Sequence, residues 1–63
     1  MKLVLCENRA IWGEALDYFL LRMKDNVQVA RFSTRPEAYQ WAAEHKHTIT
    51  GEQMAFHMEA END

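Results

Sequence analysis

Apolar positions change spacing along this chain, and each change predicts an element. Lys2-Leu3-Val4-Leu5-Cys6 is one charge followed by an unbroken apolar run, the pattern of a strand covered on both faces. Glu7 interrupts the run, and Asn8 is a residue type that caps helices well. Ile11, Trp12, Ala15, Leu16, Phe19, Leu20 and Met23 then recur at helical spacing, with Glu14, Asp17 and Lys24 opposite. This stripe predicts a first helix over residues 8–24. Gly13 costs that helix about 1 kcal/mol relative to alanine. Tyr18 and Leu21 are misfits on its polar side, a hint of a second buried face.

Asp25-Asn26 is a turn signal. Val27 to Phe32 alternates as a second strand, with Val27 and Val29 on one face and Ala30 and Phe32 on the other. Thr34 and Glu37 have capping-box spacing around Pro36. They predict a second helix over residues 36–46, with Ala38, Trp41, Ala42 and His45 on one face. Beyond it two readings stay open. Thr50 with Gln53 caps a helix from Gly51 to Ala60, which Glu52, Gln53, Met54, Ala55 and Met58 favour by propensity; this is the preferred reading. Met54, Phe56 and Met58 also alternate as in a strand, and a hairpin turning at Gly51-Glu52 is the alternative. The expected organisation is a single small domain over residues 1–60 with a frayed acidic end at 61–63. Its class is α/β, with a small α+β fold as the variant. The expected order is strand-helix-strand-helix plus a C-terminal helix or hairpin.

Two strands do not make an independently stable sheet, and 63 residues bury little core. Cys6 is the single cysteine, so no internal disulfide staples the fold. Structural zinc ligands at set spacings are absent from the sequence. Homodimerisation is therefore expected to complete the sheet or the helices, through a strand edge together with Tyr18 and Leu21. A hydrophobic content of 48% argues against a disordered chain. A lone cysteine fits a reducing compartment. The apolar run after Lys2 is too short for a signal peptide. No run approaches the roughly 18–20 apolar residues of a membrane span. A soluble, cytoplasmic protein with no membrane partner is expected.

The formal charge of −3 is unevenly spread. Residues 1–35 have a balance of +2 and residues 36–63 a balance of −5. That split can align two copies of the chain or offer an acidic end to a basic partner, although a solvated tail explains it as well.

Little in the sequence specifies chemistry. His45 and His47 sit two apart near a predicted helix end, where the dipole favours a cation. With Cys6 and His57 they form no pattern of metal ligands, and no metal or other cofactor is expected. Cys6, in an apolar strand, is an inert thiol rather than a nucleophile, and Ser33 has no ordered base beside it. Glu14 and Asp17 read as a solvated helix surface, and neither glycine belongs to a phosphate loop. No enzymatic activity is expected. Binding remains. Met and aromatic residues are enriched at interfaces, so Tyr18, Leu21, Met54, Phe56 and Met58 are the candidate dimer or partner surface. The alternative is a small DNA-binding regulator using Arg9, Arg22, Lys24, Arg31 and Arg35. Those cations do not share one helix face, and no recognition-helix motif accompanies them.

Two resemblances bear on these expectations. Leu3-Val4-Leu5-Cys6-Glu7-Asn8 looks like the first strand and acidic corner of a response-regulator receiver domain, and Gln28 to Phe32 resembles its second strand. Only Glu7 matches the family's acidic pair, and the phosphate-accepting aspartate has no counterpart. The resemblance implies a local arrangement without phosphotransfer. In size, composition and lack of motifs the whole chain is similar to small accessory proteins of lambdoid bacteriophages, from the exonuclease–excisionase region. That resemblance implies a non-enzymatic regulatory protein in the host cytoplasm. It would bind a host or phage protein and promote lytic development.

Overall fold

The computed structural model describes residues 1–57. Its elements run β1 (Lys2–Ala10), β2 (Ala15–Arg22), β3 (Val27–Phe32), α1 (Arg35–Glu44) and β4 (Thr48–His57). The result is a small α+β fold, a four-stranded mixed sheet with one helix. Strand order is β3-β2-β1-β4. β1 pairs antiparallel with β2, β2 antiparallel with β3, and β4 parallel with β1. The link from β3 to β4 crosses the whole sheet, and α1 in that link covers one face.

The covered face holds the core. Leu5 faces Leu20 across β1 and β2, and Leu20 faces Ala30 on β3. Leu3, Leu5 and Leu20 are buried beneath Ala38 and Ala42 of α1. Phe32, Trp41, Ile49, Tyr18 and Val29 close its margins. The small side chains of Ala38 and Ala42 let the helix lie close to the strands, and burial of this apolar surface is the main favourable term. On the other face Val4, Cys6, Phe19 and Leu21 form an apolar centre that no described element covers. It is flanked by the Asp17–Arg31 ion pair at 3.3 Å.

Residues 8–24 differ most from the expected order. They form the end of β1, a turn and β2 instead of a helix. Asn8 caps nothing; it pairs with Asp17 across the hairpin. Gly13 turns the chain with φ at +101°, a conformation that glycine adopts without steric cost. Consecutive apolar residues decide the rest. Tyr18 to Leu21 offer apolar side chains to both sides, and a helix buries one stripe, whereas a central strand uses both faces. The receiver-like opening, which needs a helix here, is accordingly not the arrangement found.

The second strand falls at Val27–Phe32 and the following helix at Arg35–Glu44, close to their expected limits. Between β2 and β3 the Asp25-Asn26 turn closes with Asn26 in the left-handed region at φ 59°. The Thr34 backbone amide donates to Glu37 at 3.2 Å at the start of α1. The C-terminal helix expected from Gly51 is not formed in its described part, and neither is the hairpin. Gly51 and Glu52 lie within one continuous strand. β1 would otherwise expose a row of unpaired backbone groups along nine residues, and pairing that row outweighs the weak helical preference of residues 51–57. Met58 and the expected frayed end at 61–63 lie outside the described residues.

Candidate functional site

β4 is an edge strand, and its charged neighbourhood is built from four elements. Glu7, on β1, is only 7% exposed. Its carboxylate accepts from the Arg9 guanidinium at 3.1 Å, from Tyr18 Oη of β2 at 3.2 Å, and lies 3.7 Å from the Arg35 guanidinium of α1. Arg35 also reaches Glu52 of β4 at 3.4 Å. Glu52 in turn accepts a hydrogen bond from the Tyr39 hydroxyl. Arg35 lies over the Tyr18 ring at 5.7 Å, close enough for cation–π attraction. The seam thus ties the first turn of α1 to β1, β2 and β4. Its hydrogen bond from Arg9, with the charges of Arg9 and Arg35 and the Tyr18 hydroxyl, holds the Glu7 carboxyl below the usual carboxylate range. Along the seam two carboxylates, Glu7 and Glu52, face two guanidiniums, Arg9 and Arg35, and a recess beside it is lined by Glu7, Arg9, Arg35, Thr34 and Pro36.

Beyond this seam β4 continues unprotected. Met54 sits beside Glu7 and Phe56 beside Arg9 in the parallel register. Both lie on the helix-bearing face, and they are 55% and 57% exposed. The strand from Thr48 to His57 contains no lysine, arginine or proline, and its one irregularity falls near Thr50. The opposite edge is different. β3 has six residues, a register irregularity beside Val29 and an exposed Arg31, which are devices that blunt an edge. The hairpin tip adds exposed Ile11, Trp12 and Leu16 at the end of the sheet toward which β1 and β4 both run.

The candidate surface residues are dispersed. Tyr18 belongs to the covered face and donates to Glu7, while Leu21 lies half-buried on the helix-free face. Met54 and Phe56 share one face of the β4 edge. Ile11, Trp12 and Leu16, read as helix core, are exposed instead; Gly13 beside Trp12 was the available turn signal. Of the five cations proposed for DNA, Arg9 and Arg35 hold Glu7, Arg22 holds Asp25 at 2.8 Å and Arg31 holds Asp17.

His45 and His47 stack near Trp41, with ring centroids 4.3 and 5.6 Å from the indole. Among the described residues no three His, Cys, Asp or Glu side chains gather as metal ligands. No described helix is long and apolar enough to cross a membrane.

Cys6 is buried between Phe19 and Gln53 in the sheet, and burial raises its thiol pKa. A thiol reagent at neutral pH is expected to label Cys6 slowly in the folded chain and completely in urea. Equal rates in the two states would contradict that burial.

No protein-family model, curated protein or solved structure matches this chain.

Proposed function

We propose that this chain is a non-enzymatic protein-binding domain that takes another polypeptide along the free edge of β4. The observation that carries this reading is a ten-residue edge strand without lysine, arginine or proline, whose single carboxylate, Glu52, is held by Arg35, and which bears exposed Met54 and Phe56. An extended segment added to such an edge gains main-chain hydrogen bonds, while alternate side chains give specificity. Met54 and Phe56 supply adaptable and aromatic contact surface next to it. The setting implied by the likeness to small phage accessory proteins belongs to the same proposal: regulation in a bacterial cytoplasm, promoting lytic development through a host or phage protein.

DNA binding has weaker support, because four of its five candidate cations already face carboxylates. Counterion release requires cations turned to the phosphates.

A photo-reactive benzophenone amino acid at position 53 on β4 tests the reading against the same group at position 28 on β3. In cells making the full chain, position 53 is expected to yield protein adducts and position 28 few. Equal yields, nucleic-acid adducts alone, or no adducts at position 53 would overturn it.

A further inference from the structure

We infer that the polypeptide taken by β4 is a second copy of this chain, joined antiparallel about a two-fold axis at Ala55. This inference rests on the edge-binding reading and names its partner.

A two-fold perpendicular to a sheet sets one residue of each strand against its own copy, so few registers are available. Centring at Glu52 opposes two carboxylates, which is destabilising. Centring at Gln53 sets Phe56 against Thr50, where β4 is irregular. Centring at Met54 sets Phe56 against Glu52, a carboxylate already held by Arg35 and Tyr39. Centring at Ala55 sets Met54 against Phe56 twice. Those are the two large exposed apolar side chains of β4. A thioether beside an aromatic ring is a favourable pair, and cross-strand apolar pairs are the unit of sheet stabilisation.

The pairs Gln53–His57, Met54–Phe56 and Ala55–Ala55 oppose no two carboxylates. Both helices would lie on one face of a continuous eight-stranded sheet, twice the four strands of one chain. The strand order becomes β3-β2-β1-β4 followed by its mirror, so the blunted β3 strands become the two outer edges. An isologous contact of this kind closes on itself, whereas β3-to-β4 pairing would propagate without end.

The test is the solution mass of the full chain by sedimentation equilibrium over a dilution series. The wild-type chain is expected at twice the single-chain mass of 7.4 kDa. Ala55→Asp and Ala55→Lys each place like charges opposite themselves. Each should raise the dissociation constant at least about fivefold, and an equal mixture of the two should recover the double mass. Circular dichroism checks that both variants keep their sheet. Mild oxidation of Ala55→Cys supplies a second readout, because only a residue on the two-fold meets its own copy. It should cross-link two chains, while Gln53→Cys should not.

A single-chain mass for the wild type at every concentration would overturn the inference. So would a double mass that neither charged variant lowers, or cross-linking at position 53 but not 55. If the chain stays single while position 53 still labels other proteins, edge binding survives and self-pairing falls. If neither occurs, both fall.

Discussion

Leu20→Ala is expected to abolish cooperative folding of this chain at room temperature. Leu20 is 0% exposed, and it faces Leu5 on one neighbour strand and Ala30 on the other beneath α1. Truncating a leucine in such a position costs about 2–5 kcal/mol, because the lost transfer free energy adds to an unfilled cavity. A domain of this size rarely holds more than about 3–5 kcal/mol in total. The single substitution therefore removes most or all of the margin. Urea titration followed by circular dichroism should show no sigmoidal transition. Leu16→Ala is the control: Leu16 is an exposed residue of β2, and its loss should stay within about 0.5 kcal/mol. Equal midpoints for the two variants would mean that the core is not where Leu20 sits.

The second large effect concerns Glu7. Glu7→Gln should destabilise the fold by about 1–3 kcal/mol, the usual contribution of charged hydrogen bonds whose partners are left without their counter-charge. Arg9 and Arg35 lose their shared carboxylate, and the first turn of α1 loses one of its ties to the sheet. The pH dependence has a definite sign. The Glu7 carboxyl titrates lower in the folded chain than in the unfolded one. Its stabilisation is therefore complete above the ordinary carboxylate range. It fades as acid carries the pH down through the depressed folded value. Asp25, lowered chiefly by its hydrogen bond from Arg22, acts in the same direction. Thermal melts from neutral to acidic pH should fall for the wild type and fall less steeply for Glu7→Gln. Parallel curves for the two proteins would show that Glu7 contributes nothing to acid sensitivity.

These two effects also bear on binding. The contact between Arg35 and Glu52 ties β4 to α1, so under the proposed edge binding the same charges would help to position the strand. A partner strand would meet Met54 and Phe56 immediately beyond that seam.

Some of this architecture was legible in the residues and some was misread for identifiable reasons. Leu3 to Cys6, Val27 to Phe32 and the Thr34–Pro36–Glu37 start of a helix carry local signals that agree with their surroundings, and each element falls there. Residues 8–24 satisfy helical spacing, yet the same residues satisfy a hairpin once Gly13 is taken as its turn. Met54 and Phe56 are exposed on an edge strand, an arrangement that neither a helix from Gly51 nor a hairpin at Gly51-Glu52 provides. In the sequence Glu7 only interrupts an apolar run; nothing local reveals that Arg9, Tyr18 and Arg35 converge on it.

By itself the sequence determined the helix that starts after Thr34, the turn at Asp25-Asn26, the strands around Leu3–Cys6 and Val27–Phe32 and a buried thiol, because capping, turn chemistry and apolar runs act over a few neighbouring residues. Tertiary structure alone decided that β2 is a strand, that β4 lies parallel to β1, and that Glu7 is a buried junction. Those outcomes depend on which distant backbone groups need partners, and a hydrogen bond between β1 and β4 joins residues more than forty positions apart in the chain.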